Sequence, residues 1–166
     1  MQIRACDPSD RTFLEEMLFE AFFWNDAAVR PPLERFRHQA EFARILAGWG
    51  RYGDRALVAT TGDGERLGAA WFRLWTTEDH SYGFVQPDVP ELGIGVAAQH
   101  RSRGIGRALL RALMETARGD GFSALSLSVS PQNPAIRLYE SEGFLRIGES
   151  GTSWTLLADL RPAPAV

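Results

Sequence analysis

The stretch RSRGIGR at positions 101–107 sets Arg101, Arg103 and Arg107 around Gly104 and Gly106, then runs directly into an apolar helical pattern. Each residue type has a chemical use there. Glycine permits a tight turn and close backbone approach, arginine brings positive charge, and the first N–H groups of a helix have no acceptor within it. The combination describes a seat for an anion. It is not the phosphate loop of a nucleoside triphosphatase, which ends in Lys and then Ser or Thr; no lysine follows these glycines. A dinucleotide fingerprint fails on context. Gly93, Gly95 and Ala98 have its spacing, but they sit in a strand pattern and lead to Gln99, His100 and Arg101 instead of an apolar helix. Gly104 and Gly106 are followed by Leu109 where a third small residue belongs.

Several elements must hold this turn. Residues 91–97 read as a strand entering it, and a helix from about Ile105 to Arg118 leaves it, ended by Gly119, Asp120 and Gly121. Upstream, a short alternating start at Met1 to Ala5 precedes capping groups Asp7, Ser9 and Asp10. The helical spacing of Phe13, Leu14, Met17, Leu18 and Ala21 follows. Pro31 and Pro32 separate this from a second helix, Leu33 to about Trp49, with Phe36, Ala40, Ala43 and Leu46 as its buried stripe. The segments RALVAT and RLGAAWFRLW then read as strands flanking a turn at Gly62 and Gly64. Residues 80–90, broken by Gly83, Pro87 and Pro90, fit neither period. Further on, Leu125, Leu127 and Val129 define one face of a strand, with Ser126, Ser128 and Ser130 on the other. A short helix closing at Gly143 and a strand over 153–160 complete a single domain at residues 1–160, leaving 161–166 as a loose tail. Hairpins together with crossover helices imply an α/β fold with a mixed sheet.

At this point the chain resembles the Gcn5-related N-acetyltransferase (GNAT) superfamily, whose signature is Arg or Gln, two residues, Gly, one residue, then Gly or Ala. Here Arg101, Gly104 and Gly106 supply it, after a strand and before a helix. Asn133, Ala135, Leu138, Tyr139, Gly143 and Phe144 resemble the family's second block at its usual distance downstream. The element order fits over nearly the whole chain. The resemblance implies a largely antiparallel central sheet with flanking helices and acetyl-CoA as acyl donor, its pyrophosphate seated by Arg101, Arg103, Gly104, Ile105, Gly106 and Arg107. It also implies that the strand before the turn splays from the next one, so that backbone near Ile94 to Val96 can bond the donor's pantetheine arm.

Tyr139 matches the family's general acid, and a phenol with an ordinary pKa of ~10 keeps its proton at neutral pH. Glu91, opening the strand that leads to the turn, is the candidate base, acting directly or through water. Asn133 either binds the donor or caps the following helix. Phe22, Phe23, Trp24, Trp71, Phe72, Trp75 and Tyr82 are available for an acceptor pocket, with Trp24 and Trp75 assigned to it, although alternation puts Trp71 and Phe72 on opposite sides of one strand. His80 and His100 read as surface or structural residues. The expected reaction is direct attack of a primary amine in a ternary complex, since Cys6 offers no credible acyl relay. A noncatalytic acyl-CoA sensor and a different acyl donor stay open.

Composition narrows the partners. Eighteen basic and 21 acidic residues give a formal charge of −3, which recruits no nucleic acid. One cysteine cannot form an internal disulfide. With no signal segment and no apolar run of membrane-spanning length, the expectation is a cytoplasmic protein without a membrane or metal requirement. A small-molecule amine is favoured over a protein acceptor, and the resemblance implies self-association as a homodimer.

Overall fold

The computed structural model describes residues 1–25 and 29–162. In chain order they form β1 (Gln2–Ala5), a 3-10 turn (Pro8–Asp10), α1 (Arg11–Phe22), α2 (Leu33–His38), α3 (Ala40–Leu46), β2 (Arg55–Thr60), β3 (Arg66–Arg73) and β4 (Glu91–Val96). A second 3-10 turn (Ala98–His100) leads to α4 (Ile105–Gly119), β5 (Ala124–Val129), α5 (Ile136–Ser141), β6 (Leu145–Ser150) and β7 (Ser153–Asp159). All seven strands join one sheet in the order β1-β2-β3-β4-β5-β7-β6. Every neighbouring pair is antiparallel except β4 and β5. This is the mixed, largely antiparallel α/β architecture expected.

The sheet separates two cores. On one face Leu109, Leu110 and Leu113 of α4 pack on Phe72, Leu92, Leu125 and Leu127. On the other, Leu14, Met17 and Leu18 of α1 join Phe36, Leu46 and Trp71. Trp71 and Phe72 thus lie on opposite faces, as alternation requires. None of the described helices is long and apolar enough to cross a membrane.

One local reading is corrected. The second helix is two helices, because Gln39 adopts an extended conformation, φ −75° and ψ 118°. That break rotates the buried face: Ala40 and Ala43 are exposed, while Phe42, Ile45 and Leu46 turn inward. Strand β6 carried no sequence signal, since almost all of it is exposed on both faces and no alternation marks it. On the serine face of β5, Ser126 is fully buried and Ser128 and Ser130 are partly so. Of the expected tail, Arg161 forms an ion pair with Asp159, and residues 163–166 lie outside the described residues.

Candidate active site

The site begins where β4 and β5 part. Their ladder contains one registered pair, Glu91 with Ser126, and the Ser126 N–H donates to the Pro90 carbonyl at 3.0 Å. Backbone groups alternate sides along a strand, so those of Leu92, Ile94 and Val96 face the same way as Pro90, into the widening gap. On the opposite edge β4 is paired with β3 along its whole length. The open edge therefore lines a groove of about 540 Å³ that continues past Gly104 and Gly106 to Asn133 and Tyr139.

The glycine turn closes the far end of this groove. Gly104 is left-handed (φ +79°), as is Ser102 (φ 60°), and Gly104 stands at the N-cap of α4 with no side-chain cap. The N–H groups of Ile105, Gly106 and Arg107 accordingly open toward the groove without intrahelical acceptors. An added Cβ at Gly104 would meet no atom within 4 Å, so the constraint on this residue is its backbone conformation. Gly93 and Gly95 are fixed by close packing instead of by backbone conformation. A Cβ at Gly95 would lie 2.1 Å from the Met17 carbonyl oxygen, and one at Gly93 2.6 Å from the Trp71 ring. They let α1 and the indole close onto β4.

The arginines divide. Arg101 lines the groove, but its Nη2 pairs with Glu20 at 2.6 Å while Nη1 and Nε donate to the carbonyls of Trp24 and Val96. It fastens the end of α1 to the end of β4. Arg107 lines the groove and pairs with Glu142, which also holds Arg111. Arg103 is exposed and is not part of the groove wall.

A second cavity, about 420 Å³, shares Trp24, Leu92, Gly93, Ser128, Val129 and Asn133 with the groove. Of the expected aromatic set, Phe22, Phe23, Trp24, Trp71, Trp75 and Tyr82 line it; Phe72 faces the other core, and Phe42 joins from α3. Glu91 reaches into this cavity. Its Oε1 accepts from the Gly83 N–H at 2.9 Å, while Oε2 is buried with no hydrogen-bond partner among the described residues. Burial pushes the Glu91 pKa up to about 7, against the opposing pull of the Gly83 N–H bond and of the nearby Ser81 side chain. The Ser126 hydroxyl is likewise buried and unpartnered on the neighbouring strand. Loop 80–84 makes this possible by lying against β5: a Cβ at Gly83 would come within 2.6 Å of the Leu127 backbone.

Tyr139 lines the groove from α5, its ring edge-on to Phe144 at 5.9 Å between centroids, and burial pushes its pKa up to about 12. Asn133 Oδ1 accepts from the Ala135 N–H at 2.9 Å at the entry to α5, and the residue lines both cavities. His80 is exposed and stacks on Phe84, and His100 contacts Glu65 at the groove wall. Cys6 lines neither cavity, and burial pushes its thiol up to about 11. Two lining residues carry no sequence signal: Glu41, whose carboxylate accepts from the Tyr82 hydroxyl, and Arg73, buried in the cavity wall against Asp54. Both depend on contacts between residues distant in the chain.

Residues 12–144 match the family described as Acetyltransferase (GNAT). N-acetyltransferase 8B of Homo sapiens is 32% identical over 129 residues, covering 68% of this chain and 57% of that protein. The chain spans between 33% and 57% of the length of curated relatives such as this one and N-acetyltransferase family 8 member 3 of Mus musculus. Among solved structures, a ribosomal-protein-alanine N-acetyltransferase from Brucella melitensis superposes with TM-score 0.68 at 25% identity, covering 96% of this chain and 99% of that one. A putative acetyltransferase from Salmonella typhimurium, with its cofactor acetyl-CoA, superposes with TM-score 0.67 at 25% identity over 100% and 97% of the two chains.

Proposed function

Because the chain belongs to the GNAT family of acetyltransferases, we propose that it transfers an acetyl group from acetyl-CoA to the nitrogen of a small primary amine by direct attack in a ternary complex. The observation that carries this reading is the gap beyond the Glu91–Ser126 pair, which joins an unpaired strand edge and a helix N-terminus to a second cavity holding a buried carboxyl. The donor supplies an acyl group already activated as a thioester. Backbone groups of Ile94 and Val96 would hold its amide-bearing arm. The N–H groups of Ile105, Gly106 and Arg107 would take its phosphates, oriented by the turn through Gly104. Arg101, Arg103 and Arg107 add positive potential, and Asn133 has its amide N–H groups for the donor.

Within the acceptor cavity Trp24 and Trp75 flank the amine's body, and Glu91, directly or through water, takes the proton that an ammonium must lose before nitrogen can attack. Tyr139 holds its proton throughout the working pH range. Its pKa of about 12 stands well above the ~8.5 of a free thiol, so it acts by donating a hydrogen bond from Oη as charge develops on the departing sulfur. Calorimetry with acetyl-CoA, free CoA and a nicotinamide dinucleotide tests the donor: saturable binding of the first two alone is expected. Absence of acetyl-CoA binding by folded protein would refute the reading.

Two variants test the parts. Gly104→Val forces a β-branched residue into the left-handed region and should weaken acetyl-CoA binding by ~10–100-fold, whereas Arg107→Ala, which removes an exposed ion pair, should stay within ~3-fold. Equal losses would show that charge, not backbone geometry, dominates. For Glu91, kcat/KM should rise through an apparent pKa near 7, and Glu91→Gln should abolish that limb with a ~100-fold loss. The sign of the stability effect is opposite. A carboxyl whose folded pKa lies above its unfolded value of ~4.3 destabilises the fold as it ionises, so Glu91→Gln should melt higher than wild type at pH 8 and alike at pH 4.

A further inference from the structure

We infer that the acceptor is a primary amine carrying an aromatic or bulky apolar group and no carboxylate beside the amine. This rests on the acetyltransferase reading and concerns only its second cavity. The walls supply the first half. Phe22, Phe42, Trp71, Trp75 and Tyr82 surround a space of about 420 Å³, and their faces favour a flat apolar body and an adjoining cation.

The charges supply the second half. Two carboxylates border the cavity: Glu91 deep inside, and Glu41 at the mouth, bridged to the Tyr82 hydroxyl. Arg73 is the one cationic side chain among the described lining residues, and its guanidinium is fully engaged. Nε and Nη2 bind the Asp54 carboxylate at 2.8 and 2.7 Å, and Nη1 donates to the Ile45 and Ala47 carbonyls at 2.9 and 2.8 Å. The Trp49 and Trp75 rings lie 5.2 and 5.8 Å from its central carbon. An acceptor nitrogen must approach Glu91 to lose its proton. A carboxylate one carbon away would then be brought toward Glu91 with no cation among the described lining residues free to receive it, since Arg44, over the Trp75 ring, is itself engaged by Asp79 and the His80 carbonyl, and it would lose its hydration against aromatic rings. Two charges of the same sign between aromatic walls are excluded more strongly than a hydroxymethyl group of similar size.

The test is steady-state acetylation at saturating acetyl-CoA with 2-phenylethylamine, L-phenylalaninol, L-phenylalanine and spermidine, alongside direct measurement of acetyl-CoA binding. The chain contains no lysine, so side-chain self-acetylation adds no background. Expected is a kcat/KM for phenylethylamine and phenylalaninol at least ~10-fold above that for phenylalanine or spermidine. In Glu41→Arg, which places a cation at the exposed mouth, the deficit of phenylalanine relative to phenylalaninol should shrink ~5-fold or more. Phenylalanine or spermidine used as well as phenylalaninol, an unchanged ratio in the folded Glu41→Arg protein, or acetyl-CoA binding without acetylation of any of the four would overturn the acceptor class alone. Failure to bind acetyl-CoA would remove the acetyltransferase reading and this inference with it.

Discussion

Tyr139→Phe should lower kcat by ~100-fold or more while acetyl-CoA affinity and melting temperature stay close to wild type. The ring that packs edge-on to Phe144 is preserved, and so is its place against the α4 core. Removing the hydroxyl strands no partner, because Oη makes no hydrogen bond to any described residue. The change is therefore confined to the hydroxyl of a residue that lines the groove, and an interaction made only as the thiolate departs should appear in kcat more than in donor binding. Thiol release under saturating substrates, paired with calorimetry, measures both quantities. An unchanged kcat would assign the leaving-group role elsewhere and reduce Tyr139 to a packing residue.

The largest loss of stability is expected from Asp54→Ala, at ~3–5 kcal/mol. Arg73 is only 2% exposed, and without Asp54 its charge would remain in the wall with two carbonyls as partners. The Asp54 carboxylate also accepts from the Gly50 and Arg51 N–H groups at 2.9 and 3.1 Å, so the turn before β2 loosens with it. For a chain of this size the melting temperature should fall by on the order of 10 °C. Asp120→Ala, which breaks the exposed pair with Arg55, should cost under ~1 kcal/mol. A loss at Asp54 no greater than at Asp120 would mean that the buried pair is not a structural anchor. The pH dependence has a definite sign. Burial opposes ionisation of Asp54, but the Arg73 hydrogen bonds outweigh it and hold the pKa below the ordinary carboxylate range, so this stabilisation is present above pH ~4 and fades as acid is added.

What the sequence made legible was local. The glycine turn could be read because a left-handed Gly104 before a helix is a property of a few adjacent residues, and β5 because Leu125, Leu127 and Val129 alternate. The break at Gln39 could not, since neither glycine nor proline marks it and the flanking residues suit a helix. β6 escaped because exposure on both faces removes the alternation that reveals strands. The role of Arg101 was partly misleading: charge beside an anion seat suggests a ligand contact, whereas Glu20, 81 positions away in the chain, claims its guanidinium. Loop 80–84 had no period to read, yet it buries Glu91. The second cavity was the least legible feature for the same reason, being assembled from α1, α3, the loop and residues of β3, β4, β5 and β7.

The single bridge between β4 and β5 also has a mechanical meaning. It divides the sheet into a four-stranded and a three-stranded half, whose continuity otherwise depends on α4 lying across both. A ligand that hydrogen-bonds along the open edge of β4 would act as mortar in this seam. Occupancy would then reach beyond the groove, slowing amide exchange on both sides of the seam and making the two halves unfold as one cooperative unit.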